Sequence, residues 1–265
     1  MTDAPNGWTA LVLAGQRPGV DRLAAHFGRE AKALIPVAGE PMLARVLRAL
    51  AECPQIARII VLAQDAPALL DDPSLSWAKG DPRIEARVSG RTISGSVLAA
   101  VQDPSVGLPV LVTTADNVML TPASIAEFIA AADADDVSVA MVERGNLEAA
   151  VGPNRRTWLT FRDGAFTGAN LFALTGAGSF NALTFWEKVE ADRKSVLRLA
   201  AHFGPVLMMR LLLRRMSLAQ ALAAAGNKLG ARVRPVLLTD GRMGVDVDKP
   251  EDHVLAERLL REGGA

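Results

Sequence analysis

The amino-acid sequence predicts an α/β fold, built on a mostly parallel sheet with helices on both faces. Short apolar runs alternate with helical segments over the first half of the 265 residues, and such alternation is typical of parallel sheets. Ligands of these sheets bind at the carboxyl ends of the strands, where the connecting loops converge. The predicted strands of this half are residues 9–13, 58–63, 84–88, 109–114 and 137–142.

The segments between these strands carry helix signals. Thr121 followed by Pro122 is a typical pair of N-cap and first helical residue, and Pro41 stands near the first turn of another helix. The polar segment 71–82 is predicted to be a loop. The predicted helices are residues 42–50, 66–70, a helix that opens within 89–96 and runs through 101, and 122–132.

The second half of the chain changes character. Residues 179–225 are almost all helical in pattern, with a break at Gly204 and Pro205. We interpret 179–230 as a helical insertion within a single domain that spans 1–265. The remaining predicted elements are strands at 158–161, 167–174 and 232–238 and a last amphipathic helix after residue 250.

The composition limits the classes of protein that fit this chain. Half of the residues are hydrophobic and the formal net charge is zero, so nothing indicates nucleic-acid binding. Cys53 is the only cysteine, which excludes an internal disulfide and a cysteine metal cluster and fits a reducing cytoplasm. We see neither a signal-peptide pattern nor an apolar run of about 18 residues that would span a membrane. We therefore expect a cytoplasmic protein.

The stretch from Trp8 to Pro41 carries the first functional signal. Its apolar run ends at Leu13, and Ala14 and Gly15 follow as a turn. A glycine at a strand end lets backbone N–H groups approach a phosphate, and arginine and lysine supply positive charge. This order indicates a nucleoside triphosphate site, although an ordinary glycine turn with solvated basic residues is the alternative. The basic residues after the turn include Arg17, Arg22 and Lys32.

The same stretch resembles the nucleotidyltransferases of the molybdenum-cofactor guanylyltransferase-like group, the MobA-like NTP transferases. Their signature is an LxAG turn, a nearby arginine, a lysine and an LxPVxGxPML run, which reads LIPVAGEPML over residues 34–43 here. The segment between the arginine and the lysine is longer here than is usual in the group, so Arg22 is a second candidate for the arginine. The corresponding residues of this chain are Leu13, Ala14, Gly15, Arg17 and Lys32.

This resemblance implies a Rossmann-like fold of the glycosyltransferase-A type and a Mg²⁺-dependent reaction. A nucleoside monophosphate would pass from a nucleoside triphosphate to a phosphorylated acceptor, such as a sugar phosphate or polyol phosphate, with release of pyrophosphate. The protein supplies positioning and charge neutralisation in such chemistry. Gly15 and Arg17 would hold the β- and γ-phosphates, and Lys32 would neutralise the α-phosphate. The catalytic candidates are Arg17, Lys32 and Asp116.

Three aspartates are the candidate metal ligands. Asp116 follows an apolar run at a predicted strand end, where a carboxylate can hold Mg²⁺ together with water and phosphate oxygens. The resembled enzymes carry their metal-binding aspartate at this strand end, and a turn cap is the alternative. Asp246 and Asp248 share one face of an extended segment, and the resemblance implies that one of them faces the same metal. Which of the two binds is left open.

Two further segments resemble substrate-binding parts of these enzymes. Residues 89–96 resemble a base-recognition loop, in which small residues let the backbone face a nucleobase, although helix capping alone also explains the serines and the threonine. Residues 166–172 resemble the acceptor-side strand. The nucleotide-binding candidates of the loop are Ser89, Gly90, Ser94 and Gly95, and the acceptor-binding candidates are Gly168 and Asn170.

Other functions compete with this interpretation. A molybdopterin guanylyltransferase is the rival within the class, and a non-catalytic nucleotide-binding regulatory protein is a rival outside it. Lys32 and Asp116 argue against the regulatory protein, because nucleotide sensing alone does not need a metal site. A glycosyltransferase of the same fold would usually carry an Asp-x-Asp motif where this chain has Ala115, Asp116 and Asn117.

The segment 205–225 combines apolar residues with Arg210, Arg214 and Arg215. Arg210 and Arg214 are four residues apart and share one face of a helix. Such a segment is typical either of a packed core or dimer helix, or of an interfacial helix that makes peripheral contact with an anionic membrane. We expect one of these roles for it.

Overall fold

The structure is a computed structural model that describes residues 7–16, 19–90, 92–132, 135–154, 156–190 and 204–263. Within these ranges, eight strands form one sheet and two more form a short antiparallel ribbon. The sheet strands are β1 (Trp8–Leu13), β4 (Ile56–Ala63), β5 (Ile84–Val88), β6 (Val110–Thr114), β7 (Val137–Glu143), β8 (Leu159–Phe161), β9 (Gly164–Leu174) and β10 (Val233–Leu237). The ribbon consists of β2 (Pro36–Val37) and β3 (Glu40–Pro41).

The sheet has the order β10-β7-β9-β6-β1-β4-β5, and β8 pairs with β9 outside this path. The pairs of β1 with β4 and β6, of β4 with β5 and of β7 with β10 are parallel. Only β9 and β8 introduce antiparallel pairing into the sheet that the structure describes, because β9 runs against β6, β7 and β8. The mostly parallel sheet that the sequence predicts is therefore confirmed, with one antiparallel strand in its interior.

Helices cover both faces of this sheet. Alternate residues of β1 point to opposite faces, so that Ala10 and Val12 belong to one core and Leu11 to the other. Because β1 is buried on both faces, its sequence is a nearly continuous apolar run. The helices are α1 (Arg22–His26), α2 (Met42–Ala51), α3 (Ala66–Leu70), α4 (Ser76–Gly80), α5 (Ile93–Gln102), α6 (Pro122–Ala132), α7 (Arg144–Val151), α8 (Gly178–Glu190), α9 (Pro205–Leu212), α10 (Leu218–Leu229) and α11 (Pro250–Glu262).

The larger core packs α2, α6 and α11 against one face, and the smaller core packs α5 against the other. Phe180 and Leu183 of α8 are partly buried against the smaller core. Three short 3₁₀ turns complete the described structure, at Lys32–Leu34, Pro73–Leu75 and Gly241–Gly244. None of the described helices combines the length and the apolar character that crossing a membrane requires.

Some of the local predictions are wrong. The segment 71–82 is not a loop, because Asp72 caps a 3₁₀ turn, α4 follows, and Leu75 is fully buried. Helix α7 was not predicted, since Gly145 and Asn146 weaken its helical pattern. The helical region 179–225 contains a second break, at residues 213–217, where Arg214 adopts a left-handed conformation with φ of 52°. Residues 191–203 lie outside the described ranges.

Phe128 provides a test of the larger core. This side chain of α6 is fully buried, so we expect Phe128→Ala to lower the free energy of unfolding by about 3–5 kcal/mol through lost burial and a residual cavity. Denaturant titration measures this quantity. Val254→Ala on the exposed face of α11 is the control, and it should change stability by less than about 0.5 kcal/mol. A loss of similar size in both variants would contradict this account of the core.

Candidate active site

The carboxyl ends of the central strands bring together loops that are far apart in sequence. Leu13 at the end of β1 lies between Leu62 of β4 and Thr114 of β6. The backbone hydrogen bonds continue past the strand ends, from Ala14 N to Leu62 O at 2.9 Å and from Ala115 N to Leu13 O at 3.0 Å. The turn after β1 and the turn after β6 therefore lie side by side at the ligand-binding edge.

Lys32 lies at the centre of this edge. It opens the 3₁₀ turn Lys32–Leu34, and its Nζ donates hydrogen bonds of 2.6 Å to Asp116 Oδ2 and 2.6 Å to Asp248 Oδ1. Burial by itself would lower the pKa of Lys32, but the charges and hydrogen bonds of the two carboxylates outweigh it and raise that pKa. Lys32 is therefore a firmly protonated, mostly buried cation held between two anions.

Asp116 owes its orientation to the turn after β6. Thr114 Oγ1 donates to Asp116 Oδ1, which leaves Oδ2 for Lys32. The next residue, Asn117, is buried and donates through Nδ2 to Thr113 Oγ1 at 3.1 Å and to Ala169 O at 3.0 Å. Asn117 thus ties the turn to β9.

The segment that carries Asp246 and Asp248 joins the same edge from the far end of the chain. Val247 N donates to Asp116 O at 3.3 Å, which places the segment beside the turn after β6. The carboxylate of Asp246 accepts from Asn170 Nδ2 at 3.3 Å and lies 3.2 Å from Arg156 Nη1. The structure therefore brings Lys32, Asp116, Asn170, Asp246 and Asp248 together in one cluster.

The cluster concentrates negative charge around Asp246. Burial raises the pKa of Asp246, the neighbouring Asp248 raises it further, Arg156 opposes this shift, and Asp116 adds to it. A cation other than Lys32 and Arg156 would relieve this repulsion. The oxygen donors of these carboxylates are of the type that Mg²⁺ prefers, so the residues fit the expected metal.

The cluster offers few protein ligands for a metal ion. Among the described residues, no three carboxylate, imidazole or thiolate side chains come together closely enough to enclose a metal by themselves. Magnesium commonly binds through one or two carboxylates, with water and phosphate oxygens as its remaining ligands. The cluster is therefore suited to a metal that arrives with a phosphate-containing substrate.

Asn170 reaches this cluster because β9 is irregular at that point. Between β7 and β9 the register shifts, with Val139 opposite Phe172 but Met141 opposite Gly168. Asn170 adopts a positive φ of 47° in this bulge, and its carbonyl accepts from Thr113 Oγ1 at 2.9 Å. Bulges commonly redirect a side chain next to a functional site. Gly168 lies beside the bulge and is exposed, and none of the described side chains occupies the space where its Cβ would be.

The turn after β1 is held by Gln64, a residue that no sequence motif marks. Gln64 Oε1 accepts from Gln16 N at 3.0 Å, and Gln64 Nε2 donates to Gln16 O at 2.9 Å. A Cβ on Gly15 would stand 3.0 Å from Gln64 Oε1, so glycine lets this side chain lie against the turn. Arg17 lies outside the described residues, and Arg22 is exposed at the start of α1.

The predicted base-recognition loop follows β5. Ser89 N donates to Ala63 O at 2.8 Å, and Gly90 N donates to Ser96 Oγ at 2.9 Å. A cavity of about 150 Å³ lies beside the loop, lined in part by Gly90 and Ser96. Ser89 Oγ is buried, and in the described part of the chain no hydrogen-bond partner is found for it.

Helix capping explains part of this loop as well. Thr92 caps α5 by accepting from Gly95 N at 3.1 Å, so the helix begins at Ile93. A Cβ on Gly95 would lie 2.6 Å from Thr92 Oγ1 and 2.8 Å from Glu187 Oε1 of α8, so glycine is needed for this close packing. Ser94 is buried within the first turn of α5.

Two residues of the site carry no sequence signal and were not predicted: Arg156 and Gln64. Each acts through a contact that no motif of the sequence marks. Arg156 also donates to Gly244 O, so it holds the segment before Asp246 as well as the carboxylate itself.

Comparisons with known proteins agree with this architecture. The model of the MobA-like NTP transferase domain matches residues 10–240, which is most of the chain. The chain therefore belongs to the MobA-like NTP transferase family, and it is a nucleotidyltransferase. No protein of curated function matches the sequence at a significant level.

Solved structures share the fold. A hypothetical transferase structure from Thermus thermophilus is 30% identical and has a TM-score of 0.77, over 93% of this chain and 99% of that chain. The 4-diphosphocytidyl-2C-methyl-D-erythritol synthase from Anaerococcus prevotii DSM 20548 is 12% identical with a TM-score of 0.58, over 97% of this chain and 98% of that one. A CMP:2-keto-3-deoxy-manno-octonic acid synthetase in complex with CTP is 17% identical with a TM-score of 0.56, over 97% and 100% of the two chains. The Rossmann-like fold that the resemblance implied is confirmed.

Proposed function

We propose that this nucleotidyltransferase joins a nucleoside monophosphate from an NTP to a phosphorylated small-molecule acceptor, with Mg²⁺ as its cofactor and pyrophosphate as the leaving product. The observation that carries the proposal is Lys32, held between Asp116 and Asp248 at the ligand-binding edge. An ammonium group has three N–H donors, and these two carboxylates use two of them. Among the residues that the structure describes, no partner is found for the third, and we assign it to an oxygen of the α-phosphate.

The residues of the site would act by position and charge. Lys32 would stabilise the negative charge that develops at the α-phosphorus, as preorganised cations do in phosphoryl-transfer enzymes. The turn at Gly15 would offer backbone N–H groups to the phosphates, with Arg17 as its basic partner. Asp116, with Asp246 or Asp248, would hold the metal. Bound Mg²⁺ would supply charge neutralisation and orientation for the triphosphate.

We assign the base-binding and the acceptor-binding residues to the same edge of the sheet. Ser89, Gly90, Ser94 and Gly95 form or flank the loop that we assign to the base, and the adjoining cavity supports this assignment. Gly168 and Asn170 are assigned to the acceptor side. Two of the similar structures are named for a cytidyl or CMP product, and one of them contains CTP. CTP is therefore the first nucleotide to test.

The experiment that tests the proposal is a pyrophosphate-release assay. CTP, UTP, GTP and ATP are each combined with a panel of sugar and polyol phosphates, with Mg²⁺ and with EDTA. We expect one nucleotide and acceptor pair to release pyrophosphate only when Mg²⁺ is present. Phosphate-free sugars and polyols serve as matched acceptor controls. Pyrophosphate release from a phosphate-free acceptor, or full activity in EDTA, would contradict the proposal.

Mutation can distinguish the roles of Asp246 and Asp248 in metal binding. We expect Asp246→Asn to raise the Mg²⁺ concentration for half-maximal activity by roughly 10–100-fold, because Asn170 and Arg156 hold this carboxylate at the cluster. Asp248→Asn should have a smaller effect, since Asp248 is exposed and is paired with Lys32. Titration of Mg²⁺ at saturating nucleotide measures both. If neither variant changes the requirement, the segment is structural.

A further inference from the structure

Helix α9 is apolar and yet uncovered. Seven of the eight residues in PVLMMRLL are apolar, and none of the eight is buried. Val206, Met209 and Leu212 follow one another at three-residue spacing and are 72%, 60% and 73% exposed. Residues at this spacing lie on one side of a helix, and Leu213, 55% exposed, extends the same side. An exposed apolar face of this kind marks an interaction surface.

The sequence around α9 carries only positive charge. Residues 193–230 contain no aspartate or glutamate, although the whole protein has equal numbers of acidic and basic residues. Arg210, Arg214 and Arg215 are exposed beside the apolar face. The basic residues of this segment are Arg193, Lys194, Arg198, Arg210, Arg214, Arg215 and Lys228.

The chain that follows α9 is anchored to the turn between β8 and β9. Met216 and Leu218 are buried, and Met216 O accepts from Arg162 N at 2.9 Å in the turn between β8 and β9. Asp163 Oδ1 accepts from Leu218 N at 3.0 Å. A groove of about 410 Å³ separates α9 from α10, with Leu207 and Arg210 among the residues that line it. The apolar face of α9 therefore lies next to an anchored segment and beside this groove.

We propose that α9 binds an anionic lipid surface. Its apolar residues Val206, Met209, Leu212 and Leu213 would enter the interface, and Arg210, Arg214 and Arg215 would lie against the headgroups. Interfacial helices bind by this combination of apolar burial and attraction to anionic lipid. The groove beside Arg210 has room for part of a lipid molecule. This role is separate from the nucleotidyl transfer proposed above and does not depend on which acceptor the enzyme uses.

Charge favours lipid over a second copy of the chain as the partner. In a two-fold dimer the same patch meets itself, so Arg210, Arg214 and Arg215 would approach their own copies. No carboxylate within 193–230 is present to compensate them, and like charges across an interface are unfavourable. An anionic bilayer supplies both the opposite charge and the apolar depth.

Co-sedimentation of the full-length protein with vesicles tests the proposal. The vesicles contain phosphatidylcholine alone, or phosphatidylcholine with about a third of phosphatidylglycerol to provide anionic charge. We expect binding only to the anionic vesicles. The affinity for these vesicles should fall by about tenfold or more when the salt is raised from low to high concentration. Wild-type protein that stays in the supernatant with anionic vesicles at low salt would overturn the proposal, as would equal binding to both vesicles.

Two triple variants separate charge from apolar burial. Arg210→Gln/Arg214→Gln/Arg215→Gln should reduce binding to anionic vesicles by about 100-fold, and Val206→Ser/Met209→Ser/Leu212→Ser by about tenfold or more. Because these side chains are exposed, the thermal unfolding temperature of both variants should change little. Val254→Ser and Arg261→Gln, exposed on α11, are the matched controls and should bind as wild type does. A dimer in light scattering that the serine variant dissociates would instead assign the face to a second copy.

Discussion

Lys32→Ala is expected to reduce turnover by about 10²–10³-fold while the fold stays intact, because one preorganised charge contact to the transition state is lost. Lys32 is the cation that two carboxylates hold at the ligand-binding edge. Its removal leaves Asp116 and Asp248 without the ammonium group between them. We therefore expect the Mg²⁺ concentration for half-maximal activity to stay constant or to fall, although turnover drops.

Steady-state kinetics at saturating nucleotide and acceptor measure this effect, with Mg²⁺ varied. Lys79→Ala is the matched control, because Lys79 is an exposed lysine that also pairs with an aspartate, Asp71. The control should keep wild-type turnover. Turnover near the wild-type value in Lys32→Ala would remove Lys32 from the chemistry and leave it a structural role between Asp116 and Asp248.

Asp116→Asn is expected to abolish the Mg²⁺-dependent reaction. Asparagine has the same shape, and its single carbonyl oxygen can accept from Lys32 Nζ while its amide group donates to Thr114 Oγ1, so the turn after β6 should survive. What disappears is the negative charge, and losing several kcal/mol of metal-dependent stabilisation lowers the rate by on the order of 10³-fold. The turnover loss should come with weaker metal binding, which distinguishes Asp116→Asn from Lys32→Ala.

Metal binding is measured by calorimetry or by Mn²⁺ relaxation in the presence of nucleotide. Asp71→Asn serves as the control for an exposed aspartate paired with lysine, and it should bind metal as wild type does. An Asp116→Asn variant that keeps both its Mg²⁺ requirement and its turnover would mean that Asp116 is only a turn-forming residue.

Local sequence patterns were sufficient to predict the positions of most strands of the sheet. The run 84–88 was predicted with the limits that β5 has, because polar and turn residues flank it on both sides. The direction of β9 was not predictable from its own residues. It is set by pairing with β6 and β7, which belong to other parts of the chain. The bulge that gives Asn170 its positive φ arises from the same long-range pairing.

The site was predictable only where a motif marked it. Lys32 and Asp116 stand in recognisable positions, and the structure brings them into contact. The contact of Lys32 with Asp248 joins residues 216 positions apart, and the sequence left Asp246 and Asp248 as equal candidates. Arg156 reaches Asp246 from a loop without a motif, so only the folded chain reveals it.

The most direct test of the proposed reaction follows the two ends of the triphosphate. The enzyme is incubated with Mg²⁺, the acceptor that gives turnover, and the preferred nucleotide labelled at either the α- or the γ-phosphorus. We expect the α label in the acceptor product and the γ label in pyrophosphate, because the acceptor attacks the α-phosphorus. Transfer of the γ label to the acceptor, or its release as orthophosphate, would contradict nucleotidyl transfer at this site.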